Sequence, residues 1–179
     1  MAELNPLSQQ GSDIFEWTSR STEETERVGE TLGRCLAAGD VVALIGELGA
    51  GKTTLVRGLA RGLGIDPTLV KSPTFVLVRR YPGPIPLVHV DGYRFEHSGE
   101  VLWEDVEWIA AARAVTVLEW ADRCAESLPE DYLEVQLVHK TTHQRTIRVL
   151  EHGPRSHQVL TNLASTVHSP QSTLHREAQ

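Results

Sequence analysis

Apolar residues along the chain fall into short runs separated by two stretches with helical spacing. The continuous apolar runs at residues 41–45 and 114–120 are typical of strands buried on both faces of a sheet, and the second ends in an acid. Shorter or alternating runs predict further strands, at residues 14–17, 75–81, 87–91, 132–138 and 146–150. The pattern therefore predicts a sheet of several strands as the core of the protein.

Two helices are predicted around the first buried strand. Ser21 and Glu24 have the spacing of a capping box, which predicts a helix from there to about residue 38. A second helix should open at Lys52 and end near Gly64. Residues 82–86 form a proline- and glycine-rich turn between two strands, so they predict a hairpin and an antiparallel component. The expected fold class is α/β, with a mixed parallel and antiparallel sheet flanked by helices.

Length and composition indicate one soluble globular domain. The chain has 179 residues, 40% hydrophobic and 23% charged. We expect a leader with an edge strand at residues 1–17, the main domain at 18–150, and a polar, partly disordered tail at 151–179. No membrane span or signal segment is visible, which favours a cytoplasmic protein. The net charge of −7 disfavours a broad nucleic-acid-binding face.

A glycine-rich loop follows the first buried strand and carries the strongest motif in the chain. Residues 46–53 fit G-x-x-x-x-G-K-[ST] through Gly46, Gly51, Lys52 and Thr53. Such a loop turns backbone N–H groups toward phosphate oxygens, and the next helix presents its positive end to them. Lys52 would contact the β- and γ-phosphates, and the hydroxyl of Thr53 would bind Mg²⁺. The loop predicts a P-loop NTPase core that binds a nucleoside triphosphate.

Two acids end apolar strands and are candidates for the second half of the site. Asp91 follows Leu-Val-His-Val, and Glu119 follows Val-Thr-Val-Leu. Glu119 ends the more uniformly apolar strand, which suits a position beside the P-loop strand, so we assign it to the metal. Asp91 lies in a more polar context, and we assign it to the reaction. His89 is interpreted as an inward-facing strand histidine rather than as a metal ligand.

A turn at Ser72-Pro73-Thr74 has the composition of a nucleotide-sensing loop, because its hydroxyls can reach a phosphate or a metal. An ordinary turn is the alternative interpretation. A guanine-specifying Asn-Lys-x-Asp is absent from the sequence, so a GTPase switch is disfavoured and ATP is expected.

Together these motifs resemble the bacterial TsaE family, small ATPases of tRNA threonylcarbamoyladenosine (t⁶A) biosynthesis. The matching elements, in order, are GELGAGKTT at 46–54, VKSPTF at 70–75, HVDGYR at 89–94 and LEW at 118–120. The resemblance covers about residues 18–150. The chain departs from it mildly, with Glu47, Phe75 and Gly92 where the family often has aspartate, tyrosine and leucine.

The resemblance implies a Mg²⁺-dependent ATPase that binds ATP or ADP and is weak alone and activated by partners. The implied partners are TsaD-like and TsaB-like proteins, which modify adenosine 37 of tRNAs reading ANN codons, and tRNA is reached through that complex. The implied metal ligands are Thr53 and Glu119, while Asp91 and Lys52 support hydrolysis. The implied nucleotide contacts are Glu47, Leu48, Gly49, Ala50, Gly51, Lys52, Thr53, Thr54, Ser72 and Thr74, with Trp120 as a positioning residue and Thr25 lining the base pocket.

Two other functions stay open at this point. A small-molecule kinase would use the acid and arginine near residues 91–95 for its substrate, although no arginine-rich lid is visible in the sequence. A non-hydrolytic assembly factor would use nucleotide only to order its surface. No glutamine or arginine finger is positioned by sequence alone, which leaves this second alternative standing.

Overall fold

The computed structural model describes residues 14–74, 76–94, 113–141 and 144–168. The predicted leader before Ile14, the residue Phe75, the partly apolar segment at residues 98–112 and the chain beyond residue 168 lie outside the described residues. The strands are β1 (Ile14–Ser19), β2 (Val41–Gly46), β3 (Val78–Tyr81), β4 (Leu87–Asp91), β5 (Val115–Glu119), β6 (Tyr132–Thr141) and β7 (Gln144–His152). The helices are α1 (Thr22–Gly33), α2 (Lys52–Gly62) and α3 (Pro154–His168).

The seven strands form one mixed sheet in the order β1-β7-β6-β2-β5-β4-β3. The four central strands, β6, β2, β5 and β4, are parallel, and β1, β7 and β3 pair antiparallel at the two sides. The predicted hairpin is therefore β3–β4, and the strands predicted at residues 132–138 and 146–150 pair with each other as β6 and β7. The expected α/β fold with a mixed sheet is confirmed. No helix among the described residues is both long enough and apolar enough to span a membrane.

The P-loop strand β2 is buried on both faces because its alternate side chains enter different clusters. Val42 and Leu44 join the main core, which contains residues of α1, α2 and α3. Ala43 joins a smaller cluster on the other face, together with Leu118 and Cys124. This two-sided burial explains the continuous apolar run in the sequence.

Helices α1 and α2 touch backbone to backbone through four glycines with a spacing of four. A Cβ atom added at Gly29 or Gly33 of α1 would lie 2.3 or 2.5 Å from a carbonyl oxygen of α2. A Cβ atom at Gly58 or Gly62 of α2 would lie 2.1 or 2.4 Å from a carbonyl oxygen of α1. Only glycine permits this approach, so α1 fixes the position of the helix that follows the P-loop.

The end of helix α1 and the start of strand β3 differ from the sequence prediction. Helix α1 ends at Gly33 rather than near residue 38, because the Asp40 carboxylate accepts the N–H of Ala37 and a turn replaces the last helical turn. Strand β3 begins at Val78 rather than at residue 75. The carbonyl of Pro73 accepts the N–H groups of residues 76 and 77, which forms a turn where the strand was expected.

Over residues 151–168 of the predicted polar tail, the structure has the end of β7 and helix α3. Val159, Leu160 and Leu163 of α3 are buried in the main core, although the overall composition of the segment is polar. The carboxylate of Asp131 accepts the N–H groups of residues 155 and 156 and so caps the helix. Arg155 also forms a two-pronged ion pair with Asp40, 2.8 Å at each contact.

Candidate nucleotide and metal site

The glycine-rich loop joins the end of β2 to the first turn of α2. Gly49 and Gly51 have φ angles of +80° and +103°, a region that glycine adopts without strain. Helix α2 begins directly at Lys52, so the N–H groups of its first turn have no intrahelical partner. The loop therefore has the backbone geometry of an anion cradle.

The ammonium of Lys52 is folded onto the loop. Its Nζ donates to the carbonyl oxygen of Gly46 at 2.6 Å and to that of Glu47 at 3.0 Å. The same atom lies 3.6 Å from the ring centroid of Trp120, a cation–π contact. Burial lowers the pKa of Lys52 below its usual value, and nearby carboxylates oppose that shift. A phosphate group arriving here would meet a cation that has already lost most of its contact with water.

Thr53 and Glu119 come from different elements and meet at the same point. The Thr53 hydroxyl donates to Oε1 of Glu119 at 2.8 Å. Strand β5, which ends in Glu119, pairs with the P-loop strand, as the sequence predicted for a central strand. Mg²⁺ is usually bound by only one or two oxygen ligands from the protein, together with phosphate oxygens and water. A hydroxyl and a carboxylate beside a phosphate-binding loop are ligands of this kind. The residues present therefore fit a magnesium ion shared with bound phosphates.

Asp91 stands next to Glu119 in the sheet and is fully buried. Its Oδ1 accepts the N–H of Tyr93 at 2.9 Å. Its Oδ2 is buried and has no hydrogen-bond partner among the described residues. A buried carboxylate oxygen without a partner requires an explanation, and a water or hydrated ion bound at the site would satisfy it.

The turn predicted to sense nucleotide faces this site. The hydroxyls of Ser72 and Thr74 lie 2.7 Å apart, and both residues line the cleft. The Tyr81 hydroxyl donates to the carbonyl of Lys71 at 3.1 Å and accepts the N–H of the same residue at 3.2 Å. The turn is thus anchored from the hairpin, and both of its hydroxyl-bearing residues line the cleft.

These elements enclose one cleft of about 340 Å³, a volume in the range of small-molecule sites. The residues that line it are Leu48, Gly49, Gly51, Lys52, Thr53, Thr54, Arg57, Ser72, Thr74, Glu119 and Trp120. Of the predicted nucleotide contacts, Glu47 and Ala50 belong to the loop without lining the cleft. Leu48 is 87% exposed, so an apolar side chain stands at the mouth of the cleft.

The structure does not bring Thr25 into the cleft. Its side chain is fully buried, and its hydroxyl lies 2.7 Å from that of Ser19. It also accepts a hydrogen bond from Nη1 of Arg145 at 2.9 Å. Thr25 is therefore connected to the glycine-rich loop through this arginine, and its role in lining the base pocket stays a prediction.

Two arginines were missed by the sequence interpretation: Arg57, which lines the cleft, and Arg145, which lies against the glycine-rich loop. Arg145 lies on β7, and its Nη1 stands 3.1 Å from the point where Gly51 would carry a Cβ atom. Its Nε is buried and has no hydrogen-bond partner among the described residues. No local motif marks this arginine, because only the pairing of β7 with β6 brings it to the loop.

Comparisons with known proteins agree on one family. The family model described as "Threonylcarbamoyl adenosine biosynthesis protein TsaE" matches residues 19–147. The tRNA threonylcarbamoyladenosine biosynthesis protein TsaE of Bacillus subtilis is 36% identical over 142 residues, 79% of this chain and 88% of that protein. The protein of the same name from Streptomyces coelicolor is 46% identical over 115 residues, 62% and 76% of the two chains. The crystal structure of Bacillus subtilis YdiB superposes with a TM-score of 0.73 at 26% identity, covering 89% of this chain and 99% of that one.

Proposed function

The chain belongs to the TsaE family, and from that premise we propose that it is a Mg²⁺-dependent ATPase acting in t⁶A biosynthesis. The relatives are named for threonylcarbamoyladenosine biosynthesis on tRNA, so the same pathway is proposed for this chain. The single observation that carries the ATPase assignment is the meeting of Lys52, Thr53 and Glu119 at one cleft. The kinase alternative is not favoured, because the relatives carry no such description.

In the proposed reaction each residue of the cleft has a distinct task. The free N–H groups of the loop and the Lys52 ammonium bind the β- and γ-phosphates. Thr53 and Glu119 hold Mg²⁺, which when bound neutralises charge on those phosphates. Asp91 orients the attacking water through Oδ2, the oxygen that accepts no hydrogen bond from the described residues. Ser72 and Thr74 distinguish triphosphate from diphosphate by their distance from the γ-phosphate.

We further propose that TsaD-like and TsaB-like proteins complete the site and that tRNA is reached through them. Two large, exposed side chains near the cleft support the binding of a protein partner. Leu48 lines the cleft and is 87% exposed, and Tyr93, which packs against Trp120, is 49% exposed. The acidic net charge of −7 supports indirect rather than direct contact with tRNA. The isolated chain should accordingly hydrolyse ATP slowly and the complex faster, measured as phosphate release with and without both partners and tRNA. Fast turnover by the chain alone would contradict this division of labour.

The metal assignment is tested by comparing Glu119→Ala with Glu126→Ala, an exposed acid in the segment that follows β5. ADP affinity is measured by calorimetry, once with Mg²⁺ and once with a chelator. Glu119→Ala should reduce the gain in affinity that Mg²⁺ provides by about tenfold or more, because a metal ligand is lost. Glu126→Ala should leave that gain unchanged. If Glu119→Ala also leaves it unchanged, Glu119 is not the metal ligand.

A further inference from the structure

Thr53 is not the only residue that holds Glu119, because a buried histidine contacts the same carboxylate oxygen. His89 lies in the middle of β4 and is fully buried. Its Nε2 is 2.8 Å from Oε1 of Glu119, the oxygen that also accepts the Thr53 hydroxyl. His89 is thus an inward-facing strand histidine, as predicted, but the structure aims it at the proposed metal ligand.

The carboxylate fixes the direction of this hydrogen bond. Since an ionised carboxylate only accepts, Nε2 of His89 carries a hydrogen and donates it to Glu119. Nδ1 is buried and has no hydrogen-bond partner among the described residues. Along β4 the neighbouring residues Val88 and Val90 are buried and apolar. An apolar side chain would fill this position without leaving an unpaired nitrogen, so packing alone does not account for a histidine.

The histidine ring is itself held in place. The ring of Tyr81 lies against it, with 6.4 Å between the centroids. The hydroxyl of Tyr81 is fixed by both backbone groups of Lys71, at the base of the Ser72–Thr74 turn. The donor on Nε2 therefore has a defined position, which is what orienting a carboxylate requires.

We propose that His89 is a positioning residue that orients Glu119 for Mg²⁺. This inference rests on the proposed function, in which Thr53 and Glu119 hold the ion. In the metal-bound state Thr53 directs its oxygen to the ion, and the hydrogen bond from His89 keeps the carboxylate turned toward the cleft. Partners of this kind around a metal ligand typically change metal affinity by about 10–100-fold when they are removed.

The test measures Mg²⁺ binding rather than hydrolysis, on the full chain. Mg²⁺ is titrated at saturating ADP into wild type, His89→Met and His89→Gln, and ADP affinity is measured separately in a chelator. Met fills the volume without a donor, whereas the Gln amide places an N–H near the position of Nε2. We expect His89→Met to weaken Mg²⁺ by about 10–100-fold with ADP affinity in chelator unchanged within about twofold. His89→Gln should recover most of the Mg²⁺ affinity.

A purely structural role for His89 would give a different pattern. His89→Met would then lower the melting temperature and ADP affinity in chelator together, and His89→Gln would not restore Mg²⁺ alone. If His89→Met binds Mg²⁺ like wild type while Glu119→Ala does not, this inference fails and the proposed function stands. If the ADP affinity of wild type does not depend on Mg²⁺, both fail.

If His89→Met does not fold, a comparison of His89→Asn with His89→Gln still tests the proposal. The shorter His89→Asn places its N–H₂ near the position of Nδ1, too far from Glu119 to donate. His89→Asn should therefore lose Mg²⁺ affinity that His89→Gln retains. Equal Mg²⁺ affinity in these two variants would overturn the proposal.

Discussion

A single methyl group at Gly58 should move the helix that carries the P-loop lysine. The added Cβ would lie 2.1 Å from the carbonyl oxygen of Glu26, where real Cβ atoms essentially never come within 3.0 Å. Helices α1 and α2 would have to separate by about 0.9 Å, because a backbone oxygen cannot rotate away as a side chain can.

The expected cost follows from two opposing effects of Gly58→Ala. Replacing a helical glycine by alanine contributes about 1 kcal/mol of stability through helix propensity. Overpacking a close contact costs about 1–3 kcal/mol, and more when the obstacle is rigid. We therefore expect a net loss of about 2 kcal/mol in the free energy of unfolding. Because α2 starts at Lys52, we also expect ATP hydrolysis by the partner complex to fall, by up to about 100-fold for a shift near 1 Å.

Urea unfolding followed by circular dichroism measures the first effect, and phosphate release by the reconstituted complex measures the second. Thr31→Ala is the control for helix propensity, since Thr31 lies on α1 and its hydroxyl donates to the carbonyl of Arg27 in the same helix. That variant should change stability by no more than about 0.5 kcal/mol. A Gly58→Ala protein with an unchanged or higher unfolding midpoint would refute the backbone contact between the two helices.

Two further predictions concern the arginine at the P-loop and the cap of α3. Arg145→Ala should weaken ADP binding about tenfold with or without Mg²⁺, as expected for the loss of a charged hydrogen-bond donor, whereas Arg148→Ala, which removes the contact to Glu16 on β1, should not. Calorimetry checks this, and equal affinities of the two variants would remove Arg145 from the site. Desolvation raises the pKa of Asp131, but the N–H groups of residues 155 and 156 outweigh it and hold that pKa below its usual value. A depressed folded pKa contributes stability above the unfolded value of about 3.9 and loses it as pH falls further, so Asp131→Asn should cost about 1 kcal/mol at pH 7 and flatten the acid limb of the stability curve. Thermal unfolding from pH 2 to 7 measures both, and an unchanged acid limb would contradict the role of this carboxylate.

Most of the sheet could be predicted because its signals are local. The apolar run of β2, the hairpin turn after Tyr81 and the alternation in β6 each specify an element without reference to the rest of the chain. The acid that ends β5 was assigned a place beside the P-loop strand because a strand buried on both faces belongs in the interior of a parallel sheet. The TsaE resemblance drawn from the four motifs is confirmed by the family match. Phosphate, Mg²⁺ and water contacts stay predictions.

What the sequence did not reveal depends on contacts between distant segments. The glycines of α1 and α2 look like weak helix positions until the two helices are placed against each other. Helix α3 was taken for a tail because its apolar residues are few. The contacts that stabilise it come from distant parts of the chain, among them the cap from Asp131 and the core around Leu163. His89 needed the neighbouring strand before its partner could be known.

The strand order also determines when the proposed nucleotide site can form during synthesis. The P-loop motif is complete once Thr53 has left the ribosome, but both neighbours of β2 come later in the chain, with Gly46 paired to Leu137. At about 5–20 residues per second, those roughly 90 residues take on the order of 5–20 s to translate. During that time β2 lacks both of its neighbours in the sheet. The proposed nucleotide site can therefore be completed only after Leu137 has been translated.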